Sequence, residues 1–472
     1  MCALLVLVFL AFGVLLGRVA RSPVEGTLAS ASSPTRVVLP ASGASASAPA
    51  EGSAASSSEP TAPAPQEAAE GEPAGSAVGA PAKSASSKAP AAAGGPQAGG
   101  GSKAPEQAGS KEEGGAQGSA PAGAPAKALP PIKHVFVIML SDEPYASVFG
   151  PSSAAPYLSS TLEHEGELLV GFDAVAHEEL ADEAALLSGQ GPTAETAANC
   201  PDYTAIAPTG IGPDAQVLGD GCVYPASVQT LPDQLQSRRL SWRAYVQGID
   251  EPGASAGACA HPALGAADPT AEQAASTGAY ATFRNPFVYF ASIVDSPSCA
   301  QDDVGLASLA GDLAQPRRTP SFAYVVPDRC HDGNPTPCTP GAPAGMAPAD
   351  AFLRQVVLEI TGSKAFKQNG LLVITVDEAP SGGAFADSSS CCGQPLFPNA
   401  PAKTVTGSPA GGGLVGALLL SPYVKAASTD QEPYDDFSLL RTIERLFGLG
   451  PLGYAALPGV KAFEPAMFTA KR

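Results

Sequence analysis

Between residues 22 and 128 the sequence contains no Phe, Tyr, Trp or Ile. A stretch of Ala, Ser, Pro and Gly with scattered Glu, Lys and Gln has too little apolar surface to offset the entropy of ordering. It reads as a disordered linker, stiffened locally by proline, which excludes a packed domain there. Histidine is also scarce. The 472 residues hold five, His134, His164, His177, His261 and His331, so a site built mainly from imidazoles is excluded. No Cys-x-x-Cys pair or Cys/His repeat occurs, which argues against a structural zinc site. Basic residues are outnumbered, 26 against 45, for a net charge of −19. Residues 1–128 carry eight basic and nine acidic residues, so a net −18 falls on the remainder. Such a field disfavours nucleic acid and anionic lipid, and no nucleic-acid partner is expected. A solvated acidic surface is the plainer reading, attraction of divalent cations the other.

What is present divides the chain in three. Residues 1–21 open with an apolar run from Ala3 to Gly17, followed by Arg18 and Arg21. That run suits a signal peptide or an N-terminal membrane anchor, and the two stay open because no small-x-small cleavage site follows directly. Residues 22–128 are the linker, and 129–472 the folded part, large enough for one α/β domain. Eight of the nine cysteines lie in that part: Cys200, Cys222, Cys259, Cys299, Cys330, Cys338, Cys391 and Cys392. An even set behind an export segment points to disulfides and to an extracellular or cell-envelope location. Pairings close in sequence, Cys200–Cys222 and Cys330–Cys338, are expected among the many connectivities open.

Continuous apolar runs at 134–140, 321–326, 370–376 and 414–420 read as buried strands, and 167–172 as a further extended segment. Helical patterns lie around 155–165, 178–187, 349–361 and 437–447. Strands alternating with helices predict an α/β fold, a mostly parallel sheet sandwiched between helices. Chemistry in such sheets collects at the carboxyl ends of strands. Ser141-Asp142-Glu143 and Asp377-Glu378 stand at two such ends.

These segments, with Phe149-Gly150, Asn199-Cys-Pro201, Gly219-Asp-Gly-Cys-Val-Tyr-Pro225, Asn285-Pro-Phe-Val-Tyr-Phe290, Cys330-His-Asp-Gly333 and Ser438-Leu-Leu-Arg-Thr-Ile-Glu444, resemble the phosphoesterase family of bacterial phospholipases C and certain acid phosphatases. That family belongs to the alkaline-phosphatase-like superfamily. The resemblance covers nearly all of residues 130–460. It implies the alkaline-phosphatase-like α/β fold, hydrolysis of phosphate esters, and a divalent metal.

The resemblance breaks at the positions that carry the chemistry. Ser141 and Asp142 stand where the family has a Glu-Asn pair, and Ala146 where it has an Asp. Glu179 occupies the nucleophile position of Ser/Thr-x-Pro-Asn, and Asp182 that of its Asn. Arg284, Asn334 and Asp436 stand where the family supplies histidines. The resemblance therefore assigns Glu179 and His331 to catalysis, Asp182, Arg284 and Asp332 to phosphate binding, and Asp142, Asp377 and Glu378 to metal. His331 beside two cysteines also suits a disulfide-loop cap, and Asp377-Glu378 a plain strand end. Extra negative charge where a phosphate would sit repels the substrate unless a cation neutralises it. The coordinated replacements favour a silenced relative, expected as a monomer, that binds a ligand, glycan or partner in the old cleft. An active metal-dependent phosphoesterase acting on a small phosphate ester, with Glu179 as nucleophile, is the alternative. A wall-spanning structural protein is a third reading. Thr230-Leu-Pro-Asp233 imitates the nucleophile pattern but reads as the start of an ordinary helix. Ser188 reads as a helix end, since Gly-x-Ser-x-Gly is absent.

Overall fold

The computed structural model describes residues 129–469 and Lys471, apart from 251–256, 272–278 and 401–410. The leader or anchor at 1–21 and the linker at 22–128 lie outside the described residues. The apolar run His134–Leu140 forms β1, buried along almost its whole length. Seven further strands join it in one sheet: β2 (Glu167–Leu169), β3 (Trp242–Val246), β4 (Asp303–Gly305), β5 (Phe322–Val326), β6 (Gly370–Val376), β7 (Ala417–Leu420) and β8 (Ser428–Asp430). Their spatial order is β8-β2-β7-β6-β1-β5-β3-β4. All pairings are parallel except those of β7, which runs antiparallel to both β6 and β2. The sheet is thus mixed and mostly parallel, as the alternation of strands and helices implies.

Four helices matter for the site and its surroundings: α1 (Glu179–Ser188), α2 (Leu231–Ser237), α3 (Met346–Gly362) and α4 (Asp436–Phe447). Every residue of α1 is buried. It ends at Gly189, whose φ of 69° lets the amide close on the Ala185 carbonyl at 2.8 Å. Thr230 caps α2 in a reciprocal box with Asp233, so Thr230-Leu-Pro-Asp is a helix start.

Three expectations shift in detail. The run at 414–420 is two strands, because Gly416 turns at φ 75° against the Tyr145 ring. Gly413–Leu414 instead joins a small sheet with Phe172–Ala174 and Tyr434–Asp435. The segment 167–172 is likewise shared between the two sheets. The helical stretch near 155–165 is a wide turn over Tyr157–Leu162 continued by one α turn.

All eight cysteines of the domain are paired: Cys200–Cys222, Cys259–Cys299, Cys330–Cys338 and Cys391–Cys392. The first and third match the pairings expected from spacing. Among the described residues no helix is long and apolar enough to cross a membrane.

Candidate functional site

The register between β1 and β6 matches His134 with Gly370 and Leu140 with Val376. It therefore brings Ser141-Asp142 and Asp377-Glu378 to the same edge of the sheet. The Asp377 amide closes the ladder on the Leu140 carbonyl at 3.0 Å, and the Asp142 amide donates to Asp377 Oδ1 at 3.1 Å. The N-terminal half of α1 faces this edge and supplies Glu179 and Asp182 from its first turn and Glu183 from the next, with Glu178 just before it. Carboxylates at a helix N-terminus gain from the exposed amides there, which favours acids at the start of α1.

Glu179, at the nucleophile position, is held on both oxygens. Ser141 Oγ donates to Oε1 at 3.0 Å, and the Asn199 amide donates to Oε2. The same amide reaches Glu178 Oε2 at 2.9 Å, while Asn199 Oδ1 accepts from the Leu180 N–H at 3.1 Å. Glu378 Oε2 receives the Glu178 N–H at 2.9 Å and lies 3.1 Å from His177 Nδ1. Burial, with Glu179 and Asp377 close by, pushes the Glu378 carboxyl up to about 10.

Behind these acids lies Arg284, almost wholly buried. Its Nη1 pairs with Asp377 Oδ2 and stands 3.6 Å from Glu183 Oε1; its Nε is 3.9 Å from Asp332 Oδ2. Nη2 donates to the Met139 carbonyl at 3.1 Å. Burial works against the guanidinium charge, but Asp377, Glu183 and Asp332 outweigh it and raise the Arg284 pKa. Burial likewise pushes Asp332 up to about 7, and Asp377 and Glu183 well above the usual carboxylate range.

Asp182 is fully buried and turns its Oδ1 to the amides of Val175 and Ala176, at 2.7 and 3.1 Å. Burial, followed by Asp436, holds its pKa well above normal; Asp436 at the start of α4 is raised in the same way by burial and by Asp435. Asp142, in the left-handed region at φ 49°, is pushed up to about 6 by burial and by Glu179.

The expected residues are thus brought together unevenly. Asp142, Glu179, Asp182, Arg284, Asp332, Asp377 and Glu378 converge. His331 does not join them: its Nδ1 engages Asp328 Oδ1 at 2.7 Å and Gln247 Nε2 at 3.1 Å, and its ring stacks on Phe352. Arg284 and Asp182 point at protein groups, through an ion-pair cluster and two backbone amides. Asp377 is committed to that guanidinium. Glu178, Glu183 and Asn199 are members that sequence reasoning missed. Glu183 follows Glu179 by four residues, which places it on the same helix face and made it findable.

The chain's sequence matches the pattern of the Phosphoesterase family across residues 132–450. The chain belongs to the phosphoesterase family. A stretch of 115 residues is 25% identical to an acid phosphatase of Aspergillus niger and spans 24% of each chain. Among solved structures, an alkaline phosphatase superfamily protein from Vibrio parahaemolyticus is similar at TM-score 0.40 and 11% identity, over 71% of either chain. A sulfatase from Pseudoalteromonas sp. is similar at TM-score 0.38 and 12% identity, over 72% of either chain.

Three groups of potential metal-binding side chains occur among the described residues. Two of them, with Cys259 and Cys299 or with Cys391 and Cys392, use sulfurs already spent in disulfides. The third, Glu178, Glu179 and Glu378, offers carboxylate oxygens within 4.8 Å of one another. An all-oxygen set suits a hard divalent cation such as Mg2+, Ca2+ or Mn2+. A second ion between Asp332 and Asp377 does not fit, because the Arg284 guanidinium fills that space. The cleft beside Glu179 is lined by Phe283, Arg329, Asp332, Asn334 and Thr336 and has about 20 Å³ of room. That pocket admits a water-sized group, so a larger ligand would rest across its acid-lined mouth.

Proposed function

We propose that this phosphoesterase-family protein is exported and catalytically silent, and that its acid-lined cleft serves to bind a ligand, glycan or protein partner. The carrying observation is Glu179. A nucleophile must be free to approach phosphorus in line. Here both carboxylate oxygens accept hydrogen bonds, from Ser141 and Asn199, and the nearby imidazole, His177, has both ring nitrogens engaged, by Glu378 and Ser388. The surrounding acids repel a phosphate, and the Arg284 guanidinium is already engaged by Asp377 and Asp332; the second buried guanidinium, Arg329, lines the cleft itself. Four disulfides support maturation outside the reducing cytoplasm. The net charge of −19 supports a partner other than nucleic acid.

The second reading, a metal-dependent hydrolase, draws on the Glu178–Glu179–Glu378 group. These residues would hold a divalent ion there, and such an ion supplies charge neutralisation and Lewis acidity. The two readings differ in affinity for the phosphoryl group. Titration with inorganic phosphate, with and without Mg2+ or Mn2+, should give no measurable binding and no rise in melting temperature. Binding of phosphate that requires the metal and is lost in Glu378→Gln would contradict the silent reading.

A further inference from the structure

The three acids around Arg284 come from three separate elements: Asp377 from the end of β6, Glu183 from α1 and Asp332 from the loop after β5. Glu183 is wholly buried, with the Tyr324 hydroxyl beside it, and the guanidinium 3.6 Å from its Oε1 is the positive group that faces it. Carboxylates gathered from distant elements onto one cationic point are what a divalent ion commonly holds together. Here the chain's own side chain stands at that point. A divalent ion sharing it would meet a like charge within a few ångströms in a medium that screens poorly.

We propose that Arg284 is a built-in cation that stands in for a divalent ion among Asp332, Asp377 and Glu183. The domain then holds this cluster without metal, and removing the guanidinium turns the cluster into a divalent-cation site. The inference rests on the reading of a silenced site, yet its readouts are stability and ion binding. Phosphate-ester turnover would count against that reading and leave these readouts untouched.

In the full chain and in the presence of chelator, Arg284→Ala should melt on the order of 5–10 °C below the parent, because it leaves buried carboxylates unpaired. Millimolar Mn2+ or Ca2+ should return most of that loss. The parent keeps its separate Glu178–Glu179–Glu378 group, so calorimetric titration is read as a difference: the variant should bind one divalent ion more than the parent. Should Arg284→Ala not be recovered folded, Arg284→Met combined with Asp377→Asn, Glu183→Gln and Asp332→Asn removes the charge and its three counter-charges together. Folding of that combined variant, with a melting temperature indifferent to metal, supports the counter-charge role. Failure of the combined variant to fold would show that the guanidinium is needed for its shape, and would overturn the proposal. An Arg284→Ala protein with a native near-ultraviolet circular dichroism spectrum but no additional ion and no metal-restored stability would overturn it equally.

Discussion

Asp182 stands where the family resemblance has an amide, and its surroundings treat it as one. Burial and the neighbouring Asp436, Glu378 and Asp377 raise its pKa well above that of a free carboxyl, which favours the neutral form. A neutral carboxyl accepts the Val175 and Ala176 amides through Oδ1 much as Asn would. Asp182→Asn should therefore change the unfolding free energy by less than about 1 kcal/mol, because it replaces one neutral hydrogen-bonding group by another. Asp182→Ala should cost about 2–4 kcal/mol, since two buried amides lose their acceptor and a small void opens. Urea denaturation of the two variants checks this; equal losses would show that Asp182 acts as a charge. At this scale the sequence was partly readable. Glu179, Asp377 and Glu378 were legible as acids at helix starts and strand ends. The partner of each acid was not, because the Asn199 amide approaches from a left-handed turn at φ 54° and Arg284 from a 3-10 turn distant in sequence. Nothing in Cys-His-Asp-Gly tells that Asp328 captures the His331 ring.

Helix α1 positions three of the site's acids, Glu179, Asp182 and Glu183, and its ends set where they fall. Gly189 closes it in the left-handed region, and a Cβ there would meet the Leu452 carbonyl oxygen at 2.3 Å. Gly189→Ala should cost about 2 kcal/mol or more, from backbone strain and this clash together. Loss of the α2 cap in Thr230→Ala should cost about 1 kcal/mol. Thermal denaturation that ranks the two variants in the opposite order would contradict both assignments. The elements were largely legible: β1, β5 and β6 are unbroken apolar runs, and α4 is bounded by Asp435 and Gly448. The short β3, β4 and β8 were not recognised. Three-residue strands such as β4 and β8 carry too little pattern to separate from loops, and their pairing depends on the rest of the sheet.

Across the molecule, the buried acids of this domain tie stability to pH in one direction, while the partly exposed Asp387 is lowered and works the other way. Burial raises Asp332 and Glu143 to about 7, Asp303 to about 7 and Glu444 to about 8. Unfolding returns them to ordinary values near 4. The folded chain thus binds more protons than the unfolded chain between about pH 4 and pH 8, and its stability falls as pH rises through that window. The melting temperature should be several degrees higher at about pH 5 than at about pH 8; a rise with pH would show that the acids are ionised and compensated. The segment 22–128 has no aromatic residue or isoleucine to bury, so deleting it should leave the melting temperature unchanged. A clear drop on deletion would show that it packs on the domain. The central claim, that a phosphoesterase-family chain has kept its sheet and lost its chemistry, is tested most directly by turnover. Purified full-length protein should hydrolyse simple phosphate monoesters and diesters no faster than Glu179→Gln, in chelator or in millimolar Mg2+, Mn2+, Ca2+ or Zn2+. Metal-dependent turnover by the natural sequence, abolished by Glu179→Gln, would contradict the account.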